Sequence, residues 1–336
     1  MKLNRLTQCI PTAIKRRLEH SFIHTLYLRK KILPKFPYAI NIELTNRCNL
    51  LCRMCPRPKI ANLDNGDMDF ALFTKIIDDI CSFANNKTSF TLVGLGESLL
   101  YPRLPDAITH VKRKCSKSPV ILDTNGVLLD DTWAYILTEG LGEGDRILIS
   151  LNTGNPDTYK WLMGADKYDV VVNNIMQFLS IRNKKSPELK VVIQILQTKR
   201  TESEIEDFKR FWSSFIGSKD KIYVRPLLNW GGKIDVDALS INKKRVERYP
   251  CRSLWIAIAI DKDGNVYPCC EAFSSRKNSN LFLGNASEKS IAEIYFEKIK
   301  FIRSTHLEGR YRLLPECIHC DFYTYYPNIW RSKTVK

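Results

Sequence analysis

Short apolar segments alternate with amphipathic segments along most of the chain. Six apolar segments have the length of strands, and between them apolar residues recur at three- and four-residue steps, as in a helix with one buried face. The predicted strands cover 39–44, 89–95, 120–123, 147–151, 191–196 and 222–227. The predicted helices lie near 69–84, 103–115, 130–139, 169–182 and 202–216. In the last helix the predicted buried face consists of Ile205, Phe208, Trp212 and Phe215.

This order of strands and helices predicts an α/β fold. Repeated strand–helix units build a parallel sheet with right-handed crossovers. Six units fit a partial (β/α)6 TIM-like barrel over 38–230 better than a closed barrel of eight. In such barrels the chemistry collects at the carboxyl ends of the strands, so the loops after the strands are the expected place for a site.

The pattern changes at both ends of this barrel. A polar linker over 231–250 leads to a predicted hairpin, with strands at 255–260 and 265–267. With a helix near 288–302, this predicts a small C-terminal α+β domain over 251–336. Residues 1–37 are predicted as a basic helical segment, with an amphipathic helix over about 12–31. That helix either closes the bottom of the barrel or docks on a membrane surface, an acidic partner or a nucleic acid.

Composition narrows the class of protein. The 336 residues are 44% hydrophobic, which suits one large domain and a smaller one. The net charge is +16, and about half of it lies in the first 36 residues. No recognised RNA-binding module accompanies this basic segment, so nucleic-acid binding is not expected. Neither a signal peptide nor an apolar run that could span a bilayer is visible, which predicts a cytoplasmic protein.

Eleven cysteines are a high count, and in a reducing compartment closely spaced cysteines indicate metal or catalytic sites before disulfides. Cys48, Cys52 and Cys55 lie in the loop after the first predicted strand. Three thiolates can bind three irons of a [4Fe–4S] cube, and the fourth iron then stays open to an exchangeable ligand, as in a catalytic site. Three buried cysteines without metal and a zinc site are the alternatives.

The Cys-x3-Cys-x2-Cys spacing resembles the signature of the radical S-adenosylmethionine superfamily, over about 39–230. The loop Gly94-Leu95-Gly96-Glu97 resembles the family's Gly-Gly-Glu element, with Leu95 as a departure from it. The loop Thr124-Asn125-Gly126 resembles its Thr-Asn-Gly turn, and polar residues end the fourth strand where the family binds ribose and carboxylate. The resemblance therefore implies S-adenosylmethionine contacts from Met54, Gly94, Gly96, Glu97, Thr124, Asn125, Ser150 and Asn152.

The resemblance also implies the chemistry. In this family the cluster passes one electron to S-adenosylmethionine, and cleavage gives methionine and a 5′-deoxyadenosyl radical. That radical removes a hydrogen atom from the substrate. The cofactor carries this step, while the protein supplies orientation and excludes water.

A second set of cysteines lies in the C-terminal part and consists of Cys251, Cys269, Cys317 and Cys320. Four thiolates can fully ligate a [4Fe–4S] cluster, and a structural zinc is the alternative. The set resembles the SPASM/twitch group over about 250–322, in the variant with a single auxiliary cluster. The resemblance thus implies two [4Fe–4S] clusters in all.

The other cysteines carry weaker signals. Cys269 rather than its neighbour Cys270 is predicted as the ligand, because Gly264 precedes Cys269 at the spacing typical of the group. Cys270 is predicted to be a bystander, with hydrogen-atom donation as the alternative. Cys81 is predicted to lie in the core, and Cys115 at a helix end.

A second, fully ligated cluster suggests that the enzyme transfers an additional electron during the reaction. After a carbinol carbon loses its hydrogen atom and the hydroxyl its proton, the auxiliary cluster can accept the remaining electron and leave a ketone. The sequence therefore favours a dehydrogenase-type oxidoreductase for a small metabolite or sugar-like alcohol, with Arg225 as a candidate to stabilise the alkoxide or bind an anionic substrate. A peptide- or protein-modifying enzyme and a non-enzymatic iron–sulfur electron carrier are the alternatives. The predicted electron donor is a flavodoxin or ferredoxin.

Overall fold

The computed structural model describes residues 36–84, 88–236, 238–239, 247–275 and 279–326, so the predicted helix near 12–31 lies outside the described residues. The strands are β1 Ala39–Ile42, β2 Ser89–Leu92, β3 Val120–Thr124, β4 Arg146–Asn152, β5 Lys190–Gln197, β6 Lys221–Pro226, β7 Ala257–Ile260, β8 Asn265–Tyr267 and β9 Gly284–Asn285. Within the described residues they form one sheet in the order β6-β5-β4-β3-β2-β1-β7-β8-β9.

The first six strands form the predicted parallel sheet. Each of β1 to β6 pairs in parallel with the next strand in the chain. Among the described strands, β6 pairs with β5 alone, so the barrel is partial and not closed. All six predicted strands are confirmed, with bounds that differ by at most three residues.

The six predicted helices are present, and the described part of the chain has three short helices that were not predicted. They are α1 Phe70–Cys81, α2 Leu104–Lys114, α3 Asp131–Gly140, α4 Pro156–Met163, α5 Tyr168–Lys185, α6 Ile205–Ser213, α7 Ser253–Ile256, α8 Ile291–Leu307 and α9 Pro315–Ile318. The sequence did not predict α4, α7 or α9. The side chain of Asn155 caps the N-terminus of α4 by accepting the Thr158 N–H, and Gly164, with φ +74°, caps its C-terminus.

Two predictions about local structure were wrong. Phe215 is 40% exposed rather than buried, because α6 ends at Ser213 and the helical spacing no longer applies beyond it. Trp255 and Ile256 belong to the short helix α7 rather than to the first strand of the hairpin.

The C-terminal part shares the sheet of the barrel. β7 pairs in parallel with β1, from Ala39 opposite Ala257 to Ile42 opposite Ile260. The predicted hairpin is present, because β8 pairs antiparallel with β7. Its turn contains Gly264, whose φ of +78° lies in the region that favours glycine. Two cysteines of the second set, Cys251 and Cys269, therefore flank a segment whose strand β7 pairs with β1.

Cys81 and Cys115 form a disulfide. The sequence predicted that Cys81 lies in the core; Cys81 is partly buried and packs against the core, but its disulfide was not predicted. The end of α1 and the residue after α2 lie side by side, which a sequence separation of 34 residues does not reveal. Of the helices in the described part of the chain, none combines the length and the apolar character needed to cross a bilayer.

Candidate active site

The three cysteines of the first set lie in the loop after β1. They line a cavity of about 430 Å³ on the side of the sheet where the parallel strands end. The same cavity is lined by Arg225 and by every residue predicted to contact S-adenosylmethionine, which are Met54, Gly94, Gly96, Glu97, Thr124, Asn125, Ser150 and Asn152. The structure therefore brings the predicted site residues of five loops and strands together.

Contacts from both sides hold the cysteine loop in place. Asn46 donates from Nδ2 to the Asp64 carbonyl oxygen at 2.8 Å, and Arg57 donates from Nε to the Asn46 carbonyl oxygen at 2.7 Å. On the other side, the Arg53 N–H donates to the Leu162 carbonyl oxygen in α4 at 2.9 Å. The backbone that presents the thiols is thus fixed before any metal binds.

Gly94 and Gly96 allow the loop after β2 to pack against the chain that follows β1. A Cβ atom at Gly96 would lie 2.3 Å from the Thr45 carbonyl oxygen and 2.6 Å from that of Arg47. A Cβ atom at Gly94 would lie 2.3 Å from Cγ of Glu43. Such distances are too short for any side chain, so close backbone approach requires glycine at both positions.

Glu97 connects the loops after β2 and β3. Its Oε1 accepts from Thr124 Oγ1 at 2.7 Å and from the Leu99 N–H at 3.1 Å, and its Oε2 accepts from the Asn125 N–H at 2.7 Å. Burial raises the pKa of Glu97, and these hydrogen bonds oppose the rise. The carboxylate thus shapes the cavity wall through protein donors, and its contact with S-adenosylmethionine stays a prediction.

The ends of β3 and β4 are also fixed by amide side chains. Asn125 donates from Nδ2 to Asn49 Oδ1 at 2.7 Å, which ties the end of β3 to the cysteine loop. Gln194 in β5 donates from Nε2 to Asn152 Oδ1 at 2.8 Å and to Ser150 Oγ at 3.3 Å. Asn152 has a φ of +69°, a conformation that asparagine tolerates better than most residues. Gln194 therefore orients two predicted cofactor contacts.

Sequence reasoning missed several charged residues of the cavity wall, among them Asp123, Arg146 and Glu271. Burial raises the pKa of Asp123 and that of Glu271, the latter to about 8, and the nearby Arg225 opposes both shifts. Oε2 of Glu271 is buried and has no hydrogen-bond partner in the described part of the chain. The only signal in the sequence was that Glu271 lies two residues after a predicted cluster ligand.

The first set of thiols fits a cluster in which each sulfur binds its own iron. Burial raises the pKa of Cys52, and Cys55 and Cys48 raise it further, so the three sulfurs share one small region. Within the described ranges, no three His, Cys, Asp or Glu side chains are placed to hold one metal ion. A [4Fe–4S] cube has a different requirement, because its ligands surround the cube instead of converging on one ion.

The second set of thiols lies on the C-terminal side of the same region. Burial raises the pKa of Cys269, and the thiols of Cys270, Cys317, Cys251 and Cys320 raise it further, which places all of them near one another. Cys251, Cys269 and Cys317 are buried, and Cys320 is partly buried. Cys270 also lines the cavity, so the second set adjoins the cavity wall.

Arg248 holds the loop that carries two of these thiols, although it falls in the predicted linker. It donates from Nη2 to the Cys317 carbonyl oxygen at 2.9 Å and from Nη1 to that of Cys320. Its guanidinium also stacks on Tyr311, at 4.7 Å from the ring centre, and on Tyr323, at 4.1 Å. The sequence gave no signal for this role, because Arg248 lies 69 residues before Cys317.

We expect Arg248→Leu to lose the auxiliary cluster and to keep cleavage of S-adenosylmethionine. Leucine leaves two carbonyl groups without their charged donor, at about 1.5–3 kcal/mol for each such bond. Iron content should then fall by about half, and electron paramagnetic resonance should lose one of two cluster signals. Arg310→Leu is the matched control, because Arg310 makes an exposed ion pair with Glu308. Full iron content in Arg248→Leu would contradict the assignment.

Comparison with known proteins agrees with this geometry. Residues 42–211 match the radical SAM superfamily, and residues 251–321 match the iron–sulfur cluster-binding domain called SPASM. The tungsten-containing aldehyde ferredoxin oxidoreductase cofactor-modifying protein of Pyrococcus furiosus is 26% identical over 319 residues, which cover 83% of this chain and 86% of the relative. The GTP 3′,8-cyclase of Chlorobaculum tepidum is 27% identical over 157 residues, or 47% of this chain and 44% of the relative.

Solved structures share the fold. BtrN in complex with AdoMet and 2-DOIA has a TM-score of 0.58 at 20% identity, with 85% of this chain and 94% of that chain covered. Streptococcus suis SuiB bound to the precursor peptide SuiA has a TM-score of 0.64 at 18% identity, with 85% and 71% covered.

The family match covers half of the chain and includes the cysteine triad and every loop predicted to contact the cofactor. The family match therefore excludes two alternatives, buried cysteines without metal and a non-enzymatic electron carrier. The protein's cofactors are S-adenosylmethionine and [4Fe–4S] clusters. The chain belongs to the radical S-adenosylmethionine superfamily, in its SPASM/twitch group.

Proposed function

We propose that the protein oxidises an alcohol of a small, sugar-like metabolite to a ketone. One observation carries the proposal. The cavity that is lined by Cys48, Cys52 and Cys55 is also lined by Cys270 and Glu271, which directly follow the predicted auxiliary ligand Cys269 in the chain. A substrate in this cavity would lie beside the first set of thiols and beside two residues that adjoin a predicted ligand of the second set.

Oxidation of an alcohol to a ketone removes a hydrogen atom from carbon, a proton from oxygen and one further electron. When bound, S-adenosylmethionine and the clusters supply the radical that takes the hydrogen atom and the acceptor for the electron. The protein has to hold the hydroxyl group in one orientation and to provide for its proton.

Arg225 and Glu271 are the residues that we propose for this task. Arg225 lies near the end of β6 and lines the cavity, and its one side-chain hydrogen bond within the described residues is long, 3.5 Å from Nη1 to Gln194 Oε1. Its positive charge would stabilise an alkoxide or bind an anionic group of the substrate. Glu271 presents a buried carboxyl whose Oε2 has no hydrogen-bond partner among the described residues, and a substrate hydroxyl that donates to it would remove the cost of an unsatisfied group.

The size of the cavity and the charged side chains in its wall favour a small polar substrate; these side chains are Asp123, Arg146, Arg225 and Glu271. Its volume of about 430 Å³ lies near the lower end of the range for small-molecule sites, about 300–1,000 Å³. The complex of BtrN with 2-DOIA and the cofactor-modifying relative from Pyrococcus furiosus also support action on a small molecule. A peptide substrate is the second candidate, because SuiB bound to the precursor peptide SuiA has the same fold.

Isotope transfer tests the proposal. The holoenzyme is supplied with S-adenosylmethionine, a reductant and the small-molecule fraction from cells grown on a deuterated carbon source. We expect deuterium in 5′-deoxyadenosine and a product that has two hydrogen atoms fewer than its substrate. The Cys317→Ala variant should still take up deuterium but form little ketone. Deuterium that comes only from a peptide fraction would favour the second candidate, and no transfer from a carbinol carbon would exclude alcohol oxidation.

A further inference from the structure

The outer face of the cysteine loop exposes an apolar side chain. Leu50 points inward and is 4% exposed, whereas Leu51 is 63% exposed, the largest exposure of any large apolar side chain in the described residues. Leu51 directly precedes Cys52. A Cβ atom at Gly164, which ends α4, would lie 2.8 Å from the Leu51 carbonyl oxygen, so the backbone of Leu51 packs closely on this helix end.

Two arginines lie beside Leu51 on the same surface. Arg53 and Arg200 each stack on the ring of Trp161 in α4, with guanidinium carbons 4.9 Å and 4.5 Å from the ring centre. Arg53 also donates from Nε to the Trp161 carbonyl oxygen at 2.8 Å. Neither arginine forms an ion pair with a described residue, in contrast to Arg182, which is paired with Asp220.

Leu51, Arg53, Trp161 and Arg200 form what we call the outer loop patch. Such a combination of an exposed apolar residue, an aromatic ring and unpaired arginines is typical of protein interfaces. The patch is rigid, because the cation–π contacts and the backbone hydrogen bond from Arg53 to Leu162 hold its side chains to α4. A partner that binds there does not have to order it first.

We propose that the outer loop patch is the docking site of an acidic one-electron carrier of the flavodoxin or ferredoxin type. The cluster on Cys48, Cys52 and Cys55 needs an electron from outside the protein, and electron transfer weakens steeply with distance. Leu51 and Arg53 flank Cys52 in the chain, so a carrier on this face is separated from a cluster ligand by one residue. The cavity-lining side chains lie on the inner side of the loop, so docking does not block the substrate.

Charge complementarity favours this occupant. The patch offers two guanidinium groups that no described carboxylate neutralises, on a chain with a net charge of +16. An acidic carrier would be steered to it, and its association would slow as salt increases. The inference does not depend on the identity of the substrate, because S-adenosylmethionine is cleaved reductively before any substrate reacts.

The test compares a protein reductant with a chemical one in the full-length holoenzyme. The variants are Arg200→Glu and Leu51→Glu, and Lys117→Glu is the control. Lys117 is exposed in the loop before β3, at the opposite end of the strands from the cysteine loop, and its replacement changes the charge equally. The readout is formation of 5′-deoxyadenosine without substrate, driven either by enzymatically reduced flavodoxin or by dithionite, at several salt concentrations.

We expect both patch variants to raise the KM for flavodoxin by about tenfold or more and to weaken its salt dependence, with the dithionite rate and iron content unchanged. Lys117→Glu should behave like the wild type. An unchanged flavodoxin-driven rate in both variants, or an equal effect of Lys117→Glu, would overturn the proposal. An equal loss with dithionite in both variants would also overturn it, because it would show damage to the cluster loop instead of loss of a docking site.

Discussion

Replacing Cys52 by alanine is expected to abolish cleavage of S-adenosylmethionine and to leave the auxiliary cluster in place. Cys52 is the middle ligand of the triad, and the neighbouring thiols of Cys55 and Cys48 raise its pKa. Two ligands do not hold a cube that already has one open iron, so the whole cluster should be lost. Iron content should fall from about eight to about four per chain. Formation of 5′-deoxyadenosine should fall to background with any reductant.

The reciprocal control for this prediction is Cys317→Ala. Cys317 is buried among the second set of thiols and does not line the cavity. Its loss should also remove about four irons, yet cleavage of S-adenosylmethionine should continue. Cleavage that survived in Cys52→Ala, or that disappeared in Cys317→Ala with the first cluster intact, would show that the two sets have been assigned the wrong roles.

Gly96→Ala is expected to damage the site almost as severely, although it removes no ligand. The new methyl group would meet the carbonyl oxygens of Thr45 and Arg47, and neither backbone group can rotate away as a flexible side chain could. The Glu97 N–H donates to the same Arg47 carbonyl oxygen at 2.8 Å, so the displacement would also reach Glu97. Overpacking of this kind costs about 1–3 kcal/mol or more. A shift of about 1 Å in a positioning group can slow a reaction about 100-fold.

The measurements for Gly96→Ala are the unfolding midpoint, the iron content and the rate of 5′-deoxyadenosine formation. Gly142→Ala is the matched control, because a Cβ atom there has its nearest neighbour, Ser186 Oγ, at 3.8 Å. The control should keep the wild-type stability and rate. If Gly96→Ala behaved like Gly142→Ala, the close packing of the loop after β2 against the cysteine loop would not be needed for function.

Much of the fold was readable from local patterns. The strands β1 to β5 contain buried apolar residues in segments of strand length, and such segments are a direct sequence signal of burial. The pattern failed where burial does not decide the structure. Helix α4 has a strong N-terminal cap at Asn155 but is short, and Trp255 and Ile256 are buried in a short helix although their apolar run suggested a strand.

The chemistry of the first site could be predicted from local motifs. Cys48, Cys52 and Cys55 lie within eight residues, so a shared site follows from their spacing, and the resemblance to the family signature favours a [4Fe–4S] cluster there. The loops at Gly96 and Asn125 follow strands whose order places them beside it. Local spacing is preserved in any fold, which is why these predictions needed no coordinates.

The surroundings of that site became visible only in three dimensions. Arg225 and Glu271 lie 46 residues apart in the chain, and no periodicity connects them, yet both line the cavity of the cysteine triad. Arg248 reaches Cys317 across 69 residues, and Arg200 reaches Trp161 from another loop. Their neighbours are set by how β7 pairs with β1 and how α4 packs on the cysteine loop, and such long-range packing leaves no local pattern in the sequence.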